Sequence, residues 1–311
     1  MTAGIGPGPM RTDTRTDTRG LLYAIGAYGT WGMFPVFFPL LAPADAPEVL
    51  AHRILWTAVF MAGLLVVVGR MSDLRAIKPR TWLLLACASV LISVNWLVYV
   101  YAVTNGHVVD AALGYFINPL VSVLFGVLIF GERPNLAQAA AVLIAAVAIV
   151  VLSVEVGATP LIGLGLAFSF GLYGVVKKVI TCDPRVSVGV EAGIAVPLAL
   201  AFVVALQVSG HGHFTHHGVG HTALMVLAGP LTAVPLLMFA AAAQRLPLIT
   251  LGLLMYLNPA MQMTWGIVVG HEPMPPARWI GFGLIWVALI VFSIDALFRA
   301  YRGRTGTLLP S

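Results

Sequence analysis

Hydrophobic residues fill long stretches of this chain, and short polar segments separate them. An apolar helix must be roughly 20 residues long to cross about 30 Å of lipid hydrocarbon, because each residue rises about 1.5 Å. Ten stretches of that length are present, and each is predicted to be a transmembrane helix. They cover approximately residues 20–42, 48–69, 81–104, 109–130, 135–154, 159–180, 186–208, 221–243, 248–270 and 276–298.

Polar residues recur inside these stretches at a nearly constant interval, which indicates a duplicated chain. Asn118-Pro119, Gly126 and Glu132 are matched by residues that follow 140 positions later, namely Asn258-Pro259, Gly266 and Glu272. A weaker match at 142 positions joins Gly29-Thr30-Trp31-Gly32 to Gly171-Leu172-Tyr173-Gly174. The sequence therefore predicts two five-helix halves, residues 20–154 and 155–300, between cytoplasmic tails at 1–19 and 301–311, the first of them disordered.

Five helices are an odd number, so the second half must cross the membrane in the opposite direction to the first. The predicted fold is an all-α integral membrane protein with ten transmembrane helices in a five-plus-five inverted repeat. Such repeats, with proline-interrupted helices at matching positions, are typical of secondary transporters that bind substrate between the halves. We expect Asn118-Pro119 and Asn258-Pro259 to break their helices and to expose backbone carbonyls to a ligand.

Composition agrees with a membrane protein, since 59% of the residues are hydrophobic and only 9% are charged. A soluble domain has about a quarter of its residues charged. Basic residues collect on one side, as they do in cytoplasmic loops. With both termini in the cytoplasm of a plasma or inner membrane, fifteen of the 17 Lys and Arg residues lie inside: Arg11, Arg15, Arg19, Arg70, Arg75, Lys78, Arg80, Arg133, Lys177, Lys178, Arg185, Arg245, Arg299, Arg302 and Arg304.

The same sequence argues against several other functions. The net charge of +5 is spread over short loops, so we expect no nucleic-acid partner. Two cysteines, Cys87 and Cys182, predict neither a disulfide framework nor a cysteine metal site. No phosphate-binding Gly-x-x-x-x-Gly-Lys-Ser/Thr loop is present. We therefore expect no cofactor, no catalytic activity, and as partners only a small-molecule substrate and the lipid bilayer, with the choice between monomer and homodimer open.

Three strings carry a resemblance to a known family. Residues 48–56 read Glu-Val-Leu-Ala-His-Arg-Ile-Leu-Trp, Asn95-Trp96 follows, and residues 113–124 read Leu-Gly-Tyr-Phe-Ile-Asn-Pro-Leu-Val-Ser-Val-Leu. The chain thereby resembles the RarD branch of the EamA transporters, in the drug/metabolite transporter superfamily, over nearly all of Gly20 to Arg299. The resemblance implies a ten-helix inverted repeat and the export of small metabolites or drugs, such as chloramphenicol-like compounds or amino-acid-like solutes.

Arg53 is the strongest candidate for a binding residue, because a charge near the bilayer centre costs about 3 kcal/mol on insertion scales. It either binds an electron-rich group of the substrate or forms a structural ion pair with Glu48 or Asp110. Glu48 and His52 lie one helical turn apart, so they are candidates for carrying a coupled proton. The alternative is that Glu48 only favours the positive end of the helix dipole. Glu191 matches Glu48 through the inverted repeat, which permits paired gates, and an acid that only favours a helix start is the simpler interpretation.

Other candidates for the substrate site are polar and aromatic residues of the predicted helices. The alternative for the polar members is hydrogen bonding between helices, and for the aromatic members an interfacial belt. The set comprises Trp31, Trp56, Asn95, Tyr99, Tyr115, Asn118, Ser122, Tyr173, Tyr256, Asn258 and Gln262. Five histidines between 211 and 221 have no acidic residue nearby in sequence, and they predict no metal site. A channel-like facilitator, a metabolite importer and a membrane-embedded transferase stay open as alternative functions.

Overall fold

The structure, a computed structural model, describes residues 18–131, 133–155, 160–243, 245–246 and 254–305. Within these ranges the regular structure is entirely helical. Eleven α-helices are numbered here in chain order: α1 Thr18–Gly32, α2 Phe34–Phe37, α3 Ala46–Val67, α4 Pro79–Thr104, α5 Val108–Phe130, α6 Leu136–Glu155, α7 Leu161–Val179, α8 Pro184–Val208, α9 Gly218–Ala243, α10 Leu257–Val268 and α11 Pro276–Thr305. Short 3₁₀ helices occur at Phe38–Leu41 and Met71–Ala76.

Nine spans among the described residues are long and apolar enough to cross a membrane, the first of them Thr18–Leu41. The ninth predicted helix, 248–270, is represented by α10, and residues 247–253 at its predicted start lie outside the described ranges, as does Glu132. The all-helical membrane fold predicted from the sequence is confirmed. Its first helix also contains Thr18 and Arg19, which we had assigned to the disordered tail; residues 1–17 lie outside the described part.

The first predicted span, residues 20–42, is not one continuous helix. It consists of α1, α2 and the 3₁₀ turn at Phe38–Leu41, with Met33 between the first two. Pro35 and Pro39 occupy the first turns of the two short pieces, where their missing N–H groups cost no hydrogen bond. The break turns the chain so that Phe34 and Phe38 face the interior.

The prediction that both Asn-Pro pairs break their helices is wrong for the first pair, because α5 continues through Pro119. In the second pair Pro259 lies in the first turn of α10, which begins at Leu257 after a turn at Tyr256, so this span is interrupted beside Asn258-Pro259. A proline removes one helical hydrogen bond, and neighbouring groups in a transmembrane helix accommodate that loss. One turn further along α5, Ser122 Oγ donates to the Asn118 carbonyl at 2.9 Å.

Helix packing follows the inverted repeat, in which each helix of the first half has an equivalent five spans later. Three contacts join equivalent helices directly, α3 with α8, α5 with α10 and α6 with α11. A fourth, between α4 and α7, has its equivalent in the contact between α9 and α1. A two-fold axis in the membrane plane produces this pattern.

One end of the bundle carries residues 42–45, 105–107, 209–217 and 269–275, and it is called here the predicted outer end. Glu272 caps α5 there, accepting hydrogen bonds from the Val108 and Val109 N–H groups at 2.6 and 3.0 Å. Burial raises the pKa of the Glu272 carboxyl, while these N–H groups act in the opposite direction. Arg278 lies at this predicted outer end and therefore departs from the positive-inside pattern. Its guanidinium donates to Asp110 at 3.2 Å, so Asp110 supplies its counter-charge.

The orientation itself is a prediction. Cysteine labels at Ser311 and in the 70–80 loop are expected to react only from the cytoplasm, and labels at 211–217 only from outside. Labelling with a membrane-impermeant maleimide, in intact cells and in inverted vesicles, measures both. A cytoplasmic position of residues 211–217 would contradict the ten-span topology.

Candidate functional site

Arg53 lies in an aromatic cage on α3. Its side chain is 2% exposed, and Nε donates to Thr232 Oγ1 of α9 at 2.7 Å. The guanidinium carbon is 4.2 Å from the centre of the Trp96 ring and 5.2 and 5.5 Å from those of Phe34 and Phe38. These distances permit cation–π attraction. The cage is assembled by the α1–α2 break, α3, α4 and α9.

No carboxylate among the described residues forms a salt bridge with Arg53. The two acids predicted as ion-pair partners are bound elsewhere, Glu48 to His213 and Asp110 to Arg278 and His107. Arg53 Nη1 is buried without a hydrogen-bond partner. The structural ion pair offered as the alternative role of Arg53 is therefore absent, and a donor of the guanidinium is available to a ligand.

A row of aromatic rings, called here the aromatic wall, leads away from the cage. It consists of Tyr99, Tyr115, Phe170 and Tyr173, with successive ring centres 5.6, 6.4 and 5.8 Å apart. Tyr99 also meets the cage residue Phe38 at 6.0 Å, and its hydroxyl is buried without a partner. The wall ends at Glu191, whose Oε2 accepts from the Tyr173 hydroxyl at 3.0 Å.

The acids at the two ends of this arrangement have different partners. Glu48, in the first turn of α3, accepts at 2.7 Å from the His213 backbone N–H and lies 2.7 Å from His213 Nδ1. Glu191, on α8, forms a 2.6 Å salt bridge with Lys177 and accepts from Ser187 at 2.5 Å. Lys177 also contacts Ser187. Both acids are buried, Glu48 toward the predicted outer end and Glu191 toward the opposite end.

His52 does not make the contact with Glu48 that the sequence spacing permits. Both of its ring nitrogens are buried without hydrogen-bond partners. Its ring stacks on Phe214, with centres 4.4 Å apart and planes 19° from parallel. Phe214 also lies 6.1 Å from Trp56, whose Nε1 is a further buried atom without a partner.

The two Asn-Pro positions supply a second polar group. Asn118 is 5% exposed, and its Oδ1 has no hydrogen-bond partner. On α10, Gln262 Nε2 donates to Asn258 Oδ1 at 2.7 Å, while Gln262 Oε1 has no partner. Because α5 packs on α10, both groups belong to the same interface between the halves.

Several predicted residues make contacts typical of helix packing. Asn95 Nδ2 donates at 3.0 Å both to the Leu166 carbonyl and to Ser169 Oγ, which joins α4 to α7. Ser122 is exposed and bonded to its own helix. Tyr256 packs against the apolar core that contains Phe282 and Ile285 of α11. Trp31 meets Tyr28 and Phe239 at 5.7 and 6.1 Å, between α1 and α9.

Sequence reasoning missed four residues that shape the site: Thr232, Lys177, His213 and Phe214. Lys177 was read only as a cytoplasmic charge and His213 only as part of a flexible loop. The histidine tract has no acid nearby in sequence, but the fold brings Glu48 to it. Within the described ranges, no three His, Cys, Asp or Glu side chains are arranged to hold a metal ion.

A helical inverted repeat with a caged cation and unpaired polar groups between its halves defines a membrane transporter. The EamA-like transporter family model matches residues 18–154 and again 158–294, so the chain belongs to the EamA-like transporter family. Relatives extend over almost the whole chain. Protein RarD of Streptomyces exfoliatus is 46% identical over 92% of this chain and 91% of its own length.

Two further comparisons agree. The uncharacterized transporter YojE of Bacillus subtilis (strain 168) is 40% identical over 89% of this chain and 94% of its own length. A solved crystal structure shares the fold with a TM-score of 0.58 at 18% identity, covering 90% of this chain and 98% of the other.

Proposed function

We propose that this chain is a secondary active exporter of small organic molecules that works by alternating access. The substrate carries a carboxylate or another electron-rich group that Arg53 binds, and a flat or amphipathic portion that the aromatic wall contacts. Chloramphenicol-like compounds and amino-acid-like solutes have both features.

The state of the Arg53 guanidinium carries this proposal. A buried charge is costly unless it is paired, and a buried donor without an acceptor adds to that cost. Arg53 has one hydrogen bond, to a neutral hydroxyl, and aromatic faces around it. An anionic or carbonyl group of a substrate supplies the missing acceptor, and the planar guanidinium favours bidentate binding.

Buried polar atoms without partners, one beside the cage and others between the halves, support a ligand site. Tyr99 Oη adjoins the cage, and the Oδ1 of Asn118 and the Oε1 of Gln262 lie at the interface between the halves. Native interiors satisfy most buried polar atoms, so a group of unpaired ones favours a ligand site. A mostly apolar lining with a few polar groups is typical of small-molecule sites.

The contacts at the predicted outer end support alternating access. Glu48–His213, Glu272 with the start of α5, and Asp110–Arg278 join segments of the two halves across that end. Each contact is polar and local, so it can separate without disrupting the apolar packing between helices. The conformation therefore corresponds to a state closed at the predicted outer end.

Counterflow across proteoliposomes tests the proposal against its alternatives. The probe is whichever of chloramphenicol and the free amino acids raises the melting temperature of the purified protein most. Preloading vesicles with unlabelled probe is expected to accelerate uptake of labelled probe, and uptake is expected to saturate. Linear flux without counterflow would indicate a channel-like facilitator, and chemically altered probe a transferase. Accumulation of the probe in the direction opposite to export would indicate an importer.

A further inference from the structure

Glu48 and Glu191 occupy matching helices of the inverted repeat, but they differ in the side chain that pairs with them. Glu191 pairs with the ammonium group of Lys177 at 2.6 Å. Glu48 pairs with His213, and an imidazole changes its charge between about pH 5 and pH 8. Of these two matching acids, Glu48 is the one that pairs with an imidazole, the side chain that most often serves as a pH-dependent switch.

The contact between Glu48 and His213 also holds a segment across the predicted outer end. Both carboxylate oxygens are used, one by the His213 N–H and one by its ring. The adjacent Phe214 stacks on His52, one turn further along α3. Residues 211–217 are thus attached to α3 at two points, directly beyond Arg53.

Titratable groups surround this contact from every neighbouring element. His217 of the same segment stacks on His213 at 5.3 Å, and His221 of α9 lies 5.5 Å from His217. His52 and Arg53 follow Glu48 on α3, and Glu48 and His221 both lie within electrostatic range of His52. Asp45 precedes the helix and is exposed. Glu48 is therefore the one buried negative charge beside four imidazoles and a guanidinium.

We propose that Glu48 is the proton-binding site of the transporter and that residues 211–217 form an outer gate which its protonation releases. This inference rests on the proposed function, because it supplies the coupling ion for that transport cycle. A proton from the outer medium binds Glu48 Oε2 and neutralises the carboxylate. Where the His213 ring is already an imidazolium, its N–H then faces the new O–H of Glu48, so the bond between them is lost and the segment separates from α3.

The sign of the pH effect follows from the charges. Protonation of His213 alone would leave an ion pair with Glu48, so the gate would stay closed. Protonation of Glu48 removes the only negative charge of the cluster, and the imidazolium groups then repel one another and Arg53. The gate is thus closed while Glu48 is ionised and opens as the outer medium becomes acidic.

Spin-label distances test the gate without any substrate. Thr215→Cys and Asn105→Cys place labels on exposed positions of the segment and of the α4–α5 turn, with Cys87→Ala and Cys182→Ser removing the native thiols. In lipid nanodiscs, one distance is expected at about pH 7.5, and a longer population is expected to grow toward about pH 4, the range in which carboxylates ordinarily take up a proton. Glu48→Gln should show the longer distance at both pH values, since it imitates the protonated acid.

Two further variants test whether the transition depends on His213 in particular. His213→Ala removes one of the two hydrogen bonds and should move the opening to higher pH. His211→Gln changes an exposed histidine of the same segment and should leave the transition unchanged. Three results would each overturn the proposal. The first is a wild-type distance that does not change with pH, and the second is a Glu48→Gln protein that behaves like the wild type. The third is loss of the transition in His211→Gln. Because no substrate is present, these outcomes are independent of whether Arg53 binds one.

Discussion

Arg53→Lys is expected to yield a folded, membrane-inserted protein whose substrate affinity is tenfold to a hundredfold lower, about 1.4 to 2.8 kcal/mol. Lysine keeps the charge but lacks the planar fork of donors. Its single ammonium cannot bond Thr232, lie over Trp96 and present a bidentate face to a ligand, as the guanidinium is placed to do. Arg53→Gln removes the charge as well and is expected to abolish transport.

Equilibrium binding on purified protein checks this prediction, with the probe that the melting-temperature screen selects. The Arg53→Lys sample must melt at the wild-type temperature for the comparison to hold. Arg75→Lys provides the matched control, because Arg75 is exposed outside the transmembrane helices, and its affinity should equal that of the wild type. Wild-type affinity in a stable Arg53→Lys protein would refute the proposed binding role. A lower melting temperature with unchanged affinity would assign Arg53 a structural role.

Gly229→Ala is expected to destabilise the protein by about 1 to 3 kcal/mol, the usual cost of overpacking a tight interior. A Cβ at this position would lie 2.3 Å from the carbonyl carbon of Trp56 and 2.6 Å from its oxygen. Both are backbone atoms of α3, so no rotation of a side chain relieves the clash. α3 and α9 must separate, which also weakens the 3.4 Å contact from Thr57 to the Gly229 carbonyl.

Thermal unfolding in detergent measures this effect, and Gly220→Ala is its control. Gly220 belongs to the same helix, and a Cβ there meets nothing within 4 Å. Its variant should melt at or above the wild-type temperature, since alanine favours a helix over glycine. Because Arg53 and Thr232 join the same two helices, Gly229→Ala should also weaken probe binding. Equal melting temperatures for the two variants would contradict the close approach of α3 and α9.

The helix boundaries show how much of the fold local sequence patterns predict. The stretch predicted at 109–130 forms α5 at Val108–Phe130, because an unbroken apolar run has one stable conformation in lipid. The first span was less predictable, since its break depends on how Pro35, Pro39 and their neighbours pack on other helices. The prediction at Pro119 was wrong for the converse reason, because neighbouring groups in a transmembrane helix accommodate the lost bond and α5 continues through the proline.

The candidate site likewise contains residues that the sequence indicated and contacts that it did not. Arg53 stood out in the sequence because a charge inside an apolar run is expensive wherever it lies. Its surroundings did not, since Thr232 is 179 residues away and carries no local signal. Glu48 was recognised as polar and helix-initial, but its partner His213, 165 residues further on, was hidden in a tract that looked like an ordinary loop.

Sequence alone thus determined the all-helical membrane class, the duplicated and inverted halves, and the position of the costly buried cation. These properties follow from the hydropathy of each stretch, from the repeat interval and from the odd number of spans in each half. All three can be read along the chain without knowledge of which residues are in contact. Only the tertiary structure decided which charge neutralises which, whether Arg53 keeps a free donor, and which loop covers Glu48. Those outcomes depend on distances of a few ångströms between residues far apart in sequence, and electrostatic and hydrogen-bond energies change steeply over such distances.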